Sequence, residues 1–297
     1  MQFIKFHGYG NDYIVCEAGQ LAGVADVCRF VGRVCDRHYG AGADGVATLA
    51  RVEDGGGAAA DFVLRIYNPD GSEAAMSGNG SRAAASFLYF QNLWAREELR
   101  LSTKAGVKLY RLLAQDGRGR YRFAAEIGRP LFESASIPML TNGERGRIVD
   151  FPLELSGGET VTVTALQMCN PNTCIFVDDF NQLDWRRVGA LIESHPRFPQ
   201  RTNVEFIRVR DRQHIEVRVY ERGVGETLSS GTGACAAAVA ACLSDQTERR
   251  VTVDMPGGQL AVEWRDDGEV LLTGEAEVVY RGEWLKGIAD CGLRIAD

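Results

Sequence analysis

The sequence predicts an α/β protein made of two related halves. Three observations carry this reading. Two segments of the chain match each other at an offset of 153 residues. Both segments run in the order strand, turn, helix. Outside them, short strands and Gly-containing turns recur over the remaining length.

The matching segments are residues 65–85, RIYNPDGSEAAMSGNGSRAAA, and residues 218–238, RVYERGVGETLSSGTGACAAA. They align without a gap. Nine of 21 positions are identical, among them Arg65/Arg218, Tyr67/Tyr220, Glu73/Glu226, Ser77/Ser230, Gly78/Gly231 and Gly80/Gly233. A match of that density at about half the chain length marks a duplication. In each copy alternating apolar residues (Phe62, Leu64, Ile66; Ile215, Val217, Val219) give the period of a half-buried strand. A polar turn follows. Ser-Gly-x-Gly then opens an alanine-rich helix, Ala83 to Tyr89 in one copy and Ala234 to Leu243 in the other. Glycines at a helix start let the backbone approach a ligand closely, and the N–H groups and dipole there attract an anion such as a carboxylate. Two such starts facing each other across an interdomain cleft would put Ser77 and Ser230 on opposite sides of one small anionic ligand.

The remaining elements fit two α/β halves. Helices are expected over roughly 24–36, 83–95, 183–194 and 234–244. Asp267-Gly268 marks a hairpin inside 251–274. The halves are expected to meet near Ile127-Gly128-Arg129-Pro130, where Gly and Pro interrupt two patterned regions. The low-complexity patch at Asp54-Gly55-Gly56-Gly57 reads as a flexible hairpin loop.

Composition narrows the function. The chain has 297 residues, 45% hydrophobic and 25% charged, with a formal charge of -7. With a pI of about 5.3 it offers no broad basic face, so no nucleic-acid partner is expected. No uncharged stretch approaches the roughly 20 apolar residues of a membrane helix, so no membrane partner is expected either. The opening MQFIKFHGYGND lacks the basic-then-apolar order of a signal peptide, and the expected location is the cytoplasm. Eight cysteines include no C-x-x-C pair, which removes zinc-knuckle and thioredoxin-like readings. Cys28/Cys35 and Cys235/Cys242 are spaced for buried helix faces, and most of the cysteines read as packing. No metal constellation and no pyridoxal lysine emerges, so no cofactor is expected.

Other uses of the Gly-rich turns fit less well. Gly78-x-Gly80-x-x-Ala83 satisfies much of a dinucleotide fingerprint, yet Glu97 and Glu98 fall directly after the helix, and the second copy would need a second cofactor. Neither Ser77 nor Ser230 sits in the G-x-S-x-G of a serine hydrolase. Turn shaping alone leaves the duplication unexplained.

Several further motifs resemble those of a known family. They are Lys5-x-His7-Gly8-x-Gly10-Asn11-Asp12, Arg37-His38-x-Gly40-x-Gly42-Ala43-Asp44-Gly45 and Arg65-x-x-Asn68-x-Asp70-Gly71-Ser72-Glu73. Gly78-Asn79-Gly80, Asn170-Pro171, Phe198-Pro199-x-Arg201-Thr202-Asn203-Val204 and Glu221-Arg222-Gly223-x-Gly225-Glu226-Thr227 continue the set. Together they resemble the diaminopimelate epimerases, cofactor-independent isomerases of the proline-racemase-like superfamily, essentially end to end. The resemblance implies two pseudo-symmetric domains, residues 1–127 plus 277–297 and residues 128–276, each a barrel-like sheet around a central helix. It also implies a small amino-acid substrate, a place in lysine biosynthesis and a possible homodimer. Asn11, Asn68, Asn170, Asn203, Glu221 and Arg222 would bind substrate, with its carboxylate on Gly78-Asn79-Gly80 and Gly231-Thr232-Gly233.

The resemblance breaks at the chemistry. Family members carry a cysteine pair, one at each helix start, to move a proton on and off the α-carbon. This chain has Ser77 and Ser230 there, and Asn172 where the family's Asn-Pro-His places a histidine. A hydroxyl is a poor base without an activating neighbour. Three readings stay open. One is a thiol-to-serine variant of an epimerase, which leaves Asn172 unexplained. Another is a paralogue that isomerises or dehydrates its substrate with a different base, Glu221 foremost. The third is an amino-acid binder without catalysis.

Taken singly, other residues have structural readings. Asn11 and Asn68 suit turns. Glu73 and Glu226 are expected to bond backbone N–H groups of their turns. His7 and His38 flank Gly-rich turns as structural residues, His195 and His214 belong to the surface or to turns, and Asp178-Asp179 ends a strand in solvent. Arg222 could clamp a carboxylate through two parallel bonds or pair with Glu221 or Glu226.

Overall fold

The computed structural model describes residues 1–52, 59–141, 143 and 146–285. The expected loop at Asp54-Gly55-Gly56-Gly57, and Lys286 and Cys291, lie outside the described residues. The chain divides into two compact units, one from Met1 to Ala125 together with the chain from Gly274, the other from Glu126 to Thr273.

The first unit carries β1 (Gln2–Gly8), β2 (Asn11–Glu17), α1 (Val27–Cys35), β3 (Gly45–Arg51), β4 (Phe62–Tyr67) and β5 (Glu73–Ala74). It continues with α2 (Gly78–Phe90), β6 (Glu98–Thr103), β7 (Gly106–Gln115) and most of β8 (Arg120–Gly128). The second unit carries β9 (Ile148–Glu154), β10 (Thr160–Met168), β11 (Asn170–Phe176), α3 (Trp185–Glu193), β12 (Asn203–Asp211), β13 (His214–Glu221) and β14 (Gly225–Thr227). Then come α4 (Gly231–Leu243), β15 (Arg250–Met255), β16 (Gly258–Trp264) and β17 (Val270–Glu283). Strand β17 starts in the second unit, where Val270 to Thr273 pair with β16, and ends in the first, where Glu277 to Glu283 pair with β1.

Hydrogen bonding in the first unit runs β1–β2–β3–β4–β6–β7–β8–β17 and back to β1, a closed barrel of eight strands. Inside it α2 packs on β1, β2, β3 and β4. This helix is buried from Asn79 through Tyr89, and α4 is buried nearly throughout against β10, β11, β12 and β13. Alanine suits such a helix because a small side chain lets strands close in on every side. The outer helices α1 and α3 are amphipathic instead, burying Phe30, Val31 and Val34, and Trp185, Val188 and Ile192. Asp26 and Asp184 cap them, accepting from the N–H groups of Arg29 and Arg187.

The pairing registers make the duplication exact in topology. In both units an antiparallel pair (β1/β2; β10/β11) leads to a parallel one (β2/β3; β11/β12), then to an antiparallel one (β3/β4; β12/β13). Fixing Tyr67 on Tyr220 carries Gly45 onto Asn203, Ala47 onto Glu205, Tyr13 onto Asn172 and Asn11 onto Asn170.

Three local expectations differ from the structure. Helices α2 and α4 begin at Gly78 and Gly231, so Ser-Gly-x-Gly supplies the cap and first turn rather than a preceding loop. Helix α2 stops at Phe90 because Asn92 turns to φ 54°, the left-handed conformation that ends helices. Cys28 also departs from packing: it is exposed in the first turn of α1, at the edge of the buried stripe, while Cys35 is buried.

An ion network, buried at Lys5 and Asp12 and open to solvent at Arg37, fixes the β1–β2 turn. Lys5 Nζ lies 2.7 Å from Asp12 and donates to Gly42 O. Arg37 bridges Asp12 and Asp44, and Asp44 accepts from the Asp12 N–H. Burial alone would raise the Asp12 carboxyl, but hydrogen bonds from Arg37 and Lys5 outweigh it and hold the pKa at about 2. A depressed pKa stabilises the fold above the unfolded value near 4, and the gain is lost as pH falls toward 2. Asp12→Asn is expected to lower stability at pH 7 by about 3 kcal/mol, because it also strands Lys5. Urea unfolding at stepped pH checks this: the gap between parent and variant should narrow below pH of about 3.

Candidate active site

The two helix starts share one local construction. Ser77, with φ -137° and ψ 125°, caps α2, and its Oγ accepts from the Gly80 N–H at 3.1 Å. Ser230, with φ -132° and ψ 122°, caps α4, and its Oγ accepts from the Gly233 N–H at 3.2 Å. The N–H groups of Gly78 and Asn79, and of Gly231 and Thr232, have no carbonyl one turn back to bond within the helix. They and the helix dipole favour an anion at either start. Ser77 is half-buried and Ser230 buried.

Different side chains fill the space beside the two matched glycines. A methyl at Gly80 would sit 2.9 Å from Cε1 of Tyr13, and one at Gly45 only 2.6 Å from the same atom. Both glycines therefore clear a slot for the Tyr13 ring, whose hydroxyl donates to Ser77 Oγ at 2.9 Å. At Gly233 the methyl would sit 2.9 Å from Oε1 of Glu205.

The other first-unit residues named from the sequence are held locally. Asn11 Nδ2 donates to Asp44 at 2.9 Å, which ties it to the Lys5–Asp12–Arg37 network. Asn68 donates to Ser72 Oγ at 3.0 Å and closes its own turn through its backbone. Asn79 is buried, its Oδ1 accepting from the buried Arg82 guanidinium.

In the second unit Asn170, Asn172, Asn203 and the Arg222 backbone form one chain of hydrogen bonds. Asn172 Nδ2 donates to the Asn170 carbonyl at 2.7 Å and to its side-chain oxygen at 3.1 Å. Asn203 Nδ2 donates to Asn172 Oδ1 at 3.3 Å, and Asn203 Oδ1 accepts from the Arg222 N–H at 2.9 Å. Glu193, on α3, accepts from the Gly223 N–H at 2.8 Å and so pins the turn that carries Glu221 and Arg222. The exposed Arg222 guanidinium donates to Gln200 O at 3.1 Å rather than to Glu221 or Glu226.

Glu73 and Glu226 do not bond their own turns as expected. Glu73 pairs with Lys104 at 2.9 Å and Glu226 takes two bonds from Arg186 at 2.6 and 2.9 Å, because the short strands β5 and β14 point these carboxylates at cations on neighbouring segments. Among the described residues no group of three or more His, Cys, Asp or Glu converges on a metal site.

Sequence reasoning passed over Tyr13, Glu205 and Glu193. A glutamate inside the apolar run Val204-Glu205-Phe206-Ile207 is a signal of a buried acid. Nothing in the sequence marks Tyr13, because its partner is 64 residues away. Glu205 is fully buried, takes a long contact from the Cys174 thiol at 3.9 Å, and its Oε1 has no partner among the described residues. Burial first, and the Glu221 charge second, push its pKa well above the ordinary carboxylate value. The folded chain thus keeps a proton there that the unfolded chain releases above pH of about 4, so stability falls as pH rises beyond that point. Glu205→Gln is expected to remove this slope. Denaturant midpoints measured from pH 5 to 8 should decline for the parent and stay flatter for the variant.

The sequence model of the diaminopimelate epimerase family matches residues 3–127 and 164–279. Diaminopimelate epimerase of Pelotomaculum thermopropionicum is 43% identical over 285 residues, 96% of this chain and 99% of that protein. That of Synechocystis sp. is 41% identical over 284 residues, 95% of this chain and 98% of that protein. Among solved structures, a hydroxyproline epimerase from Agrobacterium vitis shares the fold at a TM-score of 0.67 and 16% identity, covering 95% of this chain and 91% of that one. A phenazine biosynthesis PhzF-family protein from Bacillus anthracis does so at 0.66 and 14%, covering 96% and 99%. With matched helix starts in two topologically equivalent units, and relatives above 40% identity over nearly the whole length, the chain belongs to the diaminopimelate epimerase family.

Proposed function

We propose that this protein is a cofactor-independent amino-acid epimerase acting on the α-carbon of diaminopimelate. The observation that carries the reading is the pair of serine-capped helix starts, Ser77 on α2 and Ser230 on α4, in a chain of this family. Inverting an α-carbon requires one group to take the proton from one face while another delivers a proton to the opposite face. The charge that develops spreads onto the substrate carboxylate, which helix N–H groups stabilise without reorganising. Asn11, Asn68, Gly78 and Asn79 from one unit, and Asn170, Asn203, Glu221, Arg222, Gly231 and Thr232 from the other, would hold the amino acid. Ser77 and Ser230 would stand at the proton-transfer positions, with Glu221 as the candidate acidic base. The protein would work as a cytoplasmic enzyme and form a homodimer, with residues 1–127 plus 277–297 and 128–276 as its domains.

A second reading has its own observation. Both caps are hydroxyls, and the Asn172 side chain is spent on Asn170 and Asn203, so neither supplies an evident base. The same residues would then bind an amino acid without turning it over.

Proton NMR in deuterium oxide separates the two. Loss of the α-proton signal of LL- or meso-diaminopimelate above an enzyme-free control is the expected result. Ser77→Cys with Ser230→Cys should accelerate it at least about a hundredfold, since thiols ionise far more readily. Thermal stabilisation by diaminopimelate with no exchange in either protein would establish the binder instead.

A further inference from the structure

We infer that Tyr13 is a positioning residue for Ser77, aiming the serine's proton outward and replacing it once it is transferred. The inference deepens the epimerase reading and rests on it for its chemistry, while its geometry stands apart. A serine hydroxyl has one proton and two lone pairs. At Ser77 one lone pair takes the Gly80 N–H at 3.1 Å and the other takes the Tyr13 O–H at 2.9 Å. With both accepting directions filled, the serine's own proton has to point away from the two donors. Ser77 is thereby set as a proton donor.

The phenol is placed for this by the fold. Tyr13 is buried, and its ring occupies the slot that Gly45 and Gly80 leave open, with Cε1 2.6 and 2.9 Å from where their methyls would be. Any side chain at either position would displace it. The duplicated unit lacks the device. Its register-equivalent of Tyr13 is Asn172, turned to Asn170 and Asn203, and the hydrogen bond found at Ser230 Oγ among the described residues is the one from Gly233. The two serines are thus matched in backbone and unmatched in proton supply.

The transfer balances. As the Ser77 Oγ–H bond breaks and a Cα–H bond forms, the Tyr13 O–H bond breaks and the Oγ–H bond re-forms. The phenolate then takes a proton from solvent water, and the hydroxide left is neutralised by the α-proton that the group on the opposite face releases. A free phenol ionises at about 10, far below an aliphatic hydroxyl, so the negative charge comes to rest on Tyr13 rather than on serine.

The test puts a titratable atom at the serine position. In a Ser77→Cys protein, alkylation of residue 77 is followed against pH by site-resolved mass spectrometry, with and without Tyr13→Phe. Phenylalanine keeps the ring in its slot, so the comparison isolates the hydroxyl. Donation from the phenol stabilises a thiolate, and its removal is expected to raise the alkylation midpoint by about 1 pH unit. An unchanged midpoint overturns the inference. In the otherwise unmodified chain, Tyr13→Phe should slow α-deuterium uptake at least about tenfold and add nothing to Ser77→Ala. Uptake indifferent to Tyr13→Phe overturns it too. Should the unmodified chain take up no deuterium at all, the epimerase reading fails while the thiol titration still decides the role of Tyr13.

Discussion

Both central helices are wrapped by strands on nearly every side, and the rest of the structure follows from that constraint. A helix so enclosed cannot leave its first N–H groups to bulk water as a surface helix does. It needs small side chains along its length, a capping oxygen at its start and a route by which the remaining donors reach something polar. Alanine runs, Ser77 and Ser230 meet the first two needs. The third leaves each helix start with donors and a dipole that favour an anion, so capping and anion affinity draw on the same few peptide groups.

The polar layer beside those starts shows how a duplicated frame diverges without losing volume. In the first unit a large Tyr13 faces Gly45 and is followed around the sheet by Ala47. At the equivalent positions the second unit has Asn172, Asn203 and Glu205. One aromatic ring with two small neighbours has been exchanged for three medium polar side chains. Interiors packed this densely admit such changes in concert, since one enlarged side chain needs a smaller neighbour. The exchange leaves a phenol near one serine and a carboxylic acid near the glycine that follows the other.

The sequence made the repeat legible because its strongest signals are local: alternation in β4 and β13, glycines at the turns and Ser-Gly-x-Gly before alanine. Helices α1 and α3 were legible for the same reason, through their periodicity. Contacts made across the sheet were not. Tyr13 reaches Ser77 over 64 residues, and the two segments carry no shared pattern that would link them. The roles of Glu73 and Glu226 were misjudged because a carboxylate in a turn has nearby N–H groups to choose, and only the fold reveals that Lys104 and Arg186 stand closer. Asn172 was legible as a departure from a motif, yet its actual partners depend on the parallel register of β11 and β12.

Strand β17 bears on how the chain is built during synthesis. Its later half completes the first barrel, where Lys5 pairs with Tyr280 and Gln2 with Glu283. The first barrel therefore cannot close until the last strand has left the ribosome, whereas the second unit is drawn wholly from the intervening chain. Chains generally fold from the N-terminus onward as they emerge, but here the order of completion is reversed. The unit translated first waits, with β1 paired to β2 but lacking β17 on its other edge, for a loop of some 270 residues to be closed.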